Sequence, residues 1–111
     1  MIEKIIMDYL DANLGVPAYM EQPESKPASY VLIEKTGGGK TNQISSATIA
    51  IQSYADTFMN AASLNEEVKN AMESITELDE IGGCHLNSDY NFTDTSRKKY
   101  RYQAVFDITH Y

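Results

Sequence analysis

Apolar residues recur every three or four positions in two stretches of the chain, a spacing typical of amphipathic helices. The first stretch ends near Gly15 and Pro17, where proline makes further helix unfavourable. The second follows Asp56 and Thr57, either of which can cap a helix through its side-chain oxygen. This pattern places Asn65 on the polar face of the second helix. The predicted apolar stripes are Ile2, Ile5, Ile6, Tyr9, Leu10 and Leu14 in the first helix, and Phe58, Ala61, Leu64, Val68, Ala71, Met72 and Ile75 in the second.

Four other stretches have the composition or the alternation of β-strands: Tyr30 to Lys35, Ile44 to Tyr54, Cys84 to Phe92 and Lys99 to Tyr111. The glycines at 37–39 are expected to end the first strand and to form the loop of a hairpin. In the third strand the alternation predicts one shared face for Cys84, Leu86, Tyr90 and Phe92. Between Ala18 and Ser29 the composition is polar and predicts a connection without a strand.

The order of these elements, α-β-β-α-β-β, predicts a single α+β domain over residues 1–111, with a four-stranded sheet and two helices packed on one face. A helix connects the second strand to the third, and this connection favours a parallel orientation of those two strands. The sheet is therefore expected to be mixed if these strands are neighbours.

Composition narrows the class of protein. The net charge of −7 argues against a freestanding nucleic-acid binder, because such proteins gain affinity by neutralising phosphates with basic groups. The single cysteine, Cys84, cannot form a disulfide within the chain, so a reducing cytoplasm is the expected environment. No stretch has the roughly 20 apolar residues that a membrane span needs.

Two motifs invite a chemical interpretation, and neither has the required context. The sequence from Gly37 to Thr41 ends in Gly-Lys-Thr, like a phosphate-binding loop, but Glu34 stands where that motif needs its first glycine and a strand follows in place of a helix. Cys84 and His85 are adjacent on a predicted strand and therefore point to opposite faces. The sequence thus predicts no catalytic constellation, cofactor or metal site, and a protein that is not an enzyme.

The outward faces of the second and fourth predicted strands are unusually free of charge, with Thr48, Ala50, Gln52, Gln103, Val105 and Thr109. Two interpretations remain open: a face covered by another copy in an oligomer, or an exposed threonine-rich face. The one basic cluster, at the last hairpin turn, contains Arg97, Lys98, Lys99 and Arg101. It can contact phosphate or an acidic patch on another protein, and the acidic chain favours the second.

Several of these segments together resemble the tail terminator, or tail completion, proteins of long-tailed phages and prophages. They cover nearly the whole chain: Gly15-Val16-Pro17-Ala18-Tyr19 after the first helix, Pro23, the strand Tyr30 to Glu34, the strand Ile49 to Tyr54 before an alanine-containing helix, and the closing segment Arg101 to Phe106. Similar patterns occur in neighbouring head-tail joining proteins, which are the nearest alternative. A freestanding ligand-binding or regulatory α+β domain is a second alternative.

The resemblance implies a ring, commonly of six subunits, that caps the tail tube, stops its growth and provides a docking surface for the head. DNA would pass through the lumen without specific binding, and the partners would be other copies, the tail-tube protein and head connector proteins. The protein would act in the host cytoplasm during assembly and in the neck of the virion afterwards, with no catalytic residues, cofactor or membrane partner. The candidate interface residues are Gly37, Gly38, Gly39, Lys40, Thr48, Gln52, Arg97, Lys98, Lys99, Arg101 and Gln103.

Overall fold

The computed structural model of the chain describes residues 1–94, 96 and 99–111. Helix α1 (Ile2–Asn13) is followed by strands β1 (Ala18–Tyr19), β2 (Tyr30–Thr41) and β3 (Ile44–Ala55). Helix α2 (Phe58–Glu73) and a short 3-10 turn (Ile75–Glu77) lead to strands β4 (Ile81–Asn91) and β5 (Tyr100–His110). The domain is therefore α+β, as the sequence predicts.

The strands form one mixed sheet in the order β1-β2-β3-β5-β4. Only the β1–β2 pair is parallel, while β2–β3, β3–β5 and β4–β5 are antiparallel. Strands β3 and β4 run in the same direction, as predicted, because each is antiparallel to β5. They are not neighbours, since β5 lies between them, and the mixed character of the sheet comes from β1.

Both helices pack on the same face of the sheet. One apolar cluster joins Ile6 and Leu10 of α1, Val68 of α2, and Ile49 and Ile51 of β3. Thr57 caps α2, with its side-chain oxygen accepting a hydrogen bond from the Asn60 amide at 3.1 Å. The predicted two-layer arrangement and the predicted cap of the second helix are confirmed.

The prediction of four strands is wrong, because the connection after α1 contains a fifth. Strand β1 has two residues, which pair with Val31 and Leu32 of β2. The Ala18 amide donates to an Asp11 carboxylate oxygen at 3.2 Å, and the Val31 amide donates to the Pro17 carbonyl at 3.0 Å. A strand of two residues is too short to produce an alternating pattern, so periodicity does not predict it.

The predicted glycine-rich hairpin loop is also wrong. Gly37, Gly38, Gly39 and Lys40 lie inside β2 and pair with β3, after an irregularity in register between Lys35 and Gly37. The turn is formed by Asn42 and Gln43, whose φ angles are 51° and 66°. Positive φ at both central residues matches the right-handed twist of the flanking strands, and asparagine tolerates that conformation well.

A bulge in β4 overturns the predicted face of two aromatic residues. The register shifts between Leu86 and Ser88, so that Asp89 pairs with Ala104 on the helix-covered side of the sheet. Tyr90 instead pairs with Gln103 on the opposite side. One extra residue reverses the alternation, which is why Tyr90 does not share a face with Cys84 and Leu86. A second register shift lies between Ile81 and Gly83, at the adjacent glycines that begin the strand.

Candidate functional site

The side of the sheet that faces away from both helices is the open face. The pairing places on it all six residues predicted from the sequence: Thr48, Ala50 and Gln52 of β3, and Gln103, Val105 and Thr109 of β5. Thr48 lies opposite Asp107, and Thr109 lies opposite Ser46. Strand β2 contributes the residues that pair with them, and β4 contributes Tyr90 and His85. The predicted orientation of this face is therefore confirmed.

A continuous chain of side-chain hydrogen bonds crosses the open face near the end where β2 begins. The Tyr30 hydroxyl donates to the Gln22 amide oxygen at 2.8 Å, and the Gln22 amide nitrogen donates to the Tyr54 hydroxyl at 3.0 Å. The Tyr54 hydroxyl donates to the Gln52 amide oxygen at 3.0 Å. The rings of Tyr30 and Tyr54 are stacked, with centroids 4.7 Å apart.

The chain continues from β3 across β5 to β4. The Gln52 amide nitrogen donates to the Gln103 amide oxygen at 2.9 Å, and the Gln103 amide nitrogen donates to the Tyr90 hydroxyl. We call the connected residues the polar belt: Gln22, Tyr30, Gln52, Tyr54, Tyr90, Arg101 and Gln103. Its two central glutamines are nearly as buried as core residues, with 7% of Gln52 and 9% of Gln103 exposed.

Arg101 fixes one side of the polar belt. Its Nη1 donates to the Tyr54 hydroxyl at 2.9 Å, and its Nε donates to the Phe92 carbonyl at 2.7 Å. The guanidinium carbon lies 4.3 Å from the centroid of the Phe92 ring, within the range of a cation–π contact. Burial, together with the Tyr54 side chain, raises the pKa of Tyr30, and the nearby Arg101 charge lowers it in part. Arg101 therefore holds the fold of this face together, besides being a predicted interface residue.

The other end of the open face is shallow and accessible. A depression of about 450 Å³ is lined there by Gly39, Thr48, His85, Asp107 and other residues of the same strands. The Asp107 carboxylate accepts hydrogen bonds from the Thr48 hydroxyl at 3.3 Å and from the Asn87 amide at 3.0 Å. Of the predicted interface residues on this face, Thr48 lies in this accessible half, whereas Gln52 and Gln103 lie in the polar belt.

The remaining predicted interface residues are dispersed. Lys40 and the glycines at 37–39 are exposed in β2, at one edge of the sheet. Lys99 forms an isolated bridge with Asp94 before β5, and their backbone groups exchange two hydrogen bonds of 3.2 Å. Arg97 and Lys98 lie outside the described residues. The structure therefore does not bring the glycines and Arg101 together, because they lie on strands at different positions in the sheet.

Cys84 and His85 point to opposite faces of β4, as predicted, since they pair with Ile108 and Asp107 respectively. Burial raises the pKa of the Cys84 thiol to about 11, so that the unreactive protonated form predominates at neutral pH. Among the described residues, no three His, Cys, Asp or Glu side chains are grouped as a metal site would require. No helix in this part of the chain is long and apolar enough to cross a membrane.

One polar cluster was missed by sequence reasoning. Asn65 is 1% exposed on α2, against the prediction that it faces solvent, and its amide nitrogen donates to an Asp89 carboxylate oxygen at 3.2 Å. Lys69 donates to the other Asp89 oxygen at 3.1 Å and lies 2.7 Å from a Glu66 carboxylate oxygen. The hydrogen bond to Glu66, ahead of the contact with Asp89, raises the pKa of Lys69. The alternation of residues in β4 does not predict this cluster, because the bulge in that strand turns Asp89 towards α2.

Comparison with known proteins does not show which family the chain belongs to. No protein-family model matches the chain, and no curated protein matches it.

Proposed function

We propose that this protein is a noncatalytic virion assembly subunit of a long-tailed phage or prophage, which caps the finished tail tube, stops its growth and provides the surface on which the head docks. The proposal begins from the resemblance of Gly15 to Tyr19, the strands around Tyr30 and Ile49, and the closing segment from Arg101 to tail terminator proteins. In this function the chain acts as one subunit of a ring, commonly of six.

The observation that carries the proposal is the division of the sheet into two unlike faces. The helices cover one face, and the other consists of a self-contained polar belt beside an accessible region around Thr48, Asp107 and Thr109. A shallow, accessible surface with few charged side chains, beside a hydrogen-bonded layer, suits contact with another protein better than contact with DNA. The net charge of −7 also suits a lumen through which DNA passes without adhering.

The test combines the purified protein with the tail-tube protein of the same phage or prophage, observed by electron microscopy. We expect rings of the protein at tube ends and a loss of further tube growth. A strict monomer at high concentration that leaves tube growth unchanged would contradict the proposal. Binding to head connector proteins without any effect on tube ends would instead assign the protein to the head-tail joining class.

A matched pair of variants locates the tube contact. Thr109→Arg adds a long charged side chain to the accessible half of the open face, and Thr76→Arg adds the same side chain to an exposed position beside the helical layer. We expect Thr109→Arg to reduce the fraction of capped tubes and Thr76→Arg to leave it unchanged. Equal capping by both variants would exclude this part of the open face from the contact.

A further inference from the structure

The glycines of this chain are concentrated in two strands. Three of the six lie in β2, at positions 37–39, and two lie in β4, at positions 82 and 83. Glycine weakens a strand, because it has no side chain to pack and loses the most conformational freedom on folding. Within strands it often marks a place where another backbone approaches closely.

The fold of the single chain does not require glycine at three of these positions. None of the glycines has a positive φ angle. A Cβ atom would meet its nearest neighbour at 3.9 Å at Gly37, 3.5 Å at Gly39 and 4.0 Å at Gly83, which are ordinary contact distances. Only Gly38, beside the Lys35 side chain and the Ser46 carbonyl, and Gly82, beside the Tyr111 ring, are crowded. Space within the chain therefore does not require glycine at Gly37, Gly39 or Gly83. Gly37 and Gly83 also border the register irregularities of β2 and β4, where glycine is common, whereas Gly39 does not.

Both glycine-rich segments lie on edges of the sheet. Strand β1 pairs with Val31 and Leu32 of β2, so within the part of the chain that the structure describes the rest of β2 to Thr41 has a partner on one side only. Strand β4 is the last strand on the other side, and among the described residues it pairs only with β5. Each edge presents a row of backbone donors and acceptors that another strand can use.

The two edges are complementary in direction. Strand β2 runs parallel to β5, since both are antiparallel to β3, and β4 is antiparallel to β5. If a second copy extends the sheet with its helices on the same side, its β2 therefore runs antiparallel to β4 of the first copy. The segments are also level with each other, because Gly39, Ser46, Thr109 and Gly83 form one row across the sheet.

Charge favours joining unlike edges over joining like edges. Lys35 and Lys40 are exposed on β2, and Asp79 and Glu80 are exposed just before β4. Lys40 is level with the first residue of β4 through the row that contains Ser45 and His110, so joining β2 to β4 brings Lys40 close to these carboxylates. Two β2 edges joined antiparallel about their glycines would instead place Lys35 of each copy opposite Lys40 of the other, which is repulsive.

We propose that copies of this protein join head to tail through their sheet edges, with residues 37–41 of one copy pairing antiparallel with residues 81–85 of the next. Each copy then uses two different edges, and the repeated contact closes into a ring or continues as a filament according to the rotation between copies. The ring form rests on the function proposed above, whereas the edge contact itself does not.

A charge exchange tests the pairing of unlike edges, with sedimentation velocity over a wide range of concentration as the measurement. We expect Lys35→Glu with Lys40→Glu to weaken self-association about tenfold, and Asp79→Lys with Glu80→Lys to do the same. All four changes in one chain should restore it. The control, Asp56→Lys with Glu67→Lys, reverses two exposed charges, one directly after the central strand β3 and one on α2, and should leave association unchanged.

A disulfide test removes the dependence on electrostatics. Gly39 and Gly83 lie on opposite edges, three strand spacings or roughly 14 Å apart, which is too far for a disulfide within one copy. In a Cys84→Ser background, we expect the double variant Gly39→Cys, Gly83→Cys, or its neighbour in register Gly39→Cys, His85→Cys, to give a ladder of covalent oligomers on oxidation. The single variants should give no ladder.

The outcomes separate this inference from the proposed function. A wild-type protein that stays monomeric at its highest attainable concentration, a charge exchange without rescue, or dimers from the single Gly39→Cys variant would overturn the edge contact. Rings at tube ends that all edge variants form equally well would overturn the edge contact and leave the function standing. Edge-linked oligomers that never cap tubes would overturn the proposed function and leave the edge contact standing.

Discussion

The helix-covered face of the sheet and the polar belt of the open face are both well buried, and they achieve burial by different means. Ile51 and Gln52 are neighbours on β3; the first is 0% exposed beneath the helices, and the second is 7% exposed on the open face. Ile51 belongs to an aliphatic cluster shared with both helices. Gln52 is covered by other side chains of the sheet and is held by hydrogen bonds to Tyr54 and Gln103.

This difference changes the meaning of an uncharged sheet face. A sheet face composed of glutamine, threonine and alanine side chains suggests a surface that binds another protein. In the structure, half of that surface has already satisfied its polar groups within the chain, and only the region around Thr48 and Asp107 remains accessible. Burial on the helix-covered face depends on apolar packing, whereas burial on the open face depends on hydrogen-bond geometry, so substitutions should affect the two faces differently.

The largest effect is expected on the helix-covered face. Val68 is fully buried on α2, and Val68→Asp would place a carboxylate without a partner in the apolar cluster. We expect a loss of about 4 kcal/mol in the free energy of unfolding, measured by urea denaturation, which is a large part of the stability of a domain this size. Asn70→Asp adds the same group at an exposed position of the same helix and should change stability little. Similar losses in the two variants would contradict the assignment of the core face.

The polar belt should be less sensitive, and the effect should depend on position within it. The Tyr54 hydroxyl takes part in three hydrogen bonds, with Gln22, Arg101 and Gln52, so Tyr54→Phe leaves the Gln52 oxygen without that donor. We expect a loss of about 2 kcal/mol in urea denaturation. The Tyr30 hydroxyl makes one hydrogen bond, to Gln22, and Tyr30→Phe should cost about 1 kcal/mol. Equal costs would show that the belt does not act as a connected network.

Two adjacent glycines allow the faces to be compared within one strand. A Cβ atom at Gly38, on the helix-covered side, would lie 2.8 Å from Lys35 Cε and 3.0 Å from the Ser46 carbonyl oxygen, whereas one at Gly37, on the open side, meets only ordinary contacts. Gly38→Ala should therefore lower the free energy of unfolding by about 1 kcal/mol, and Gly37→Ala should raise it by about 0.5 kcal/mol. If Gly38→Ala were the more stable variant, β2 would accommodate a Cβ atom more easily at Gly38 than at Gly37.

The smallest effect concerns Cys84, on the helix-covered side of β4. Burial raises its pKa to about 11 from a usual value of 9.0, so the rate of alkylation in the folded protein should rise with a midpoint near pH 11. The urea-unfolded chain should react with a midpoint near its ordinary value. Because the folded state holds the proton more tightly, Cys84 contributes stability below pH 9 that is lost as the pH rises towards 11. A folded-state midpoint near 9 would show that the thiol is solvated.

The sequence was sufficient for the parts of the fold that have a sustained period. Both helices and the faces of β3 and β5 follow from spacing alone, because each pattern continues over many residues. The cap at Thr57 was predictable for another reason, since its side-chain oxygen is a good acceptor at a helix start. What failed depended on single residues. Strand β1 has two residues, the hairpin turn needs only the backbone of Asn42 and Gln43, and one extra residue in β4 reverses its alternation. None of these three features produces a periodic pattern of apolar residues in the sequence.

In the candidate site, too, some features follow from periodicity and others depend on single residues. The outward orientation of Thr48, Gln52 and Gln103 was predictable, since it needs only alternation. The polar belt was not, because Gln22 comes from a connection without regular structure and Tyr90 reaches Gln103 only after the β4 bulge. The arrangement of the glycine segments on opposite edges depends on the strand order, which the sequence does not determine.

Amide hydrogen exchange at low and high protein concentration tests the central claim, that copies join through unlike edges of the sheet, most directly. We predict that amides of residues 37–41 and of residues 81–85 gain protection together as concentration rises, while those at the buried centre of β3 stay protected throughout. Protection of only one of the two edges, or of neither, would contradict head-to-tail joining through the sheet.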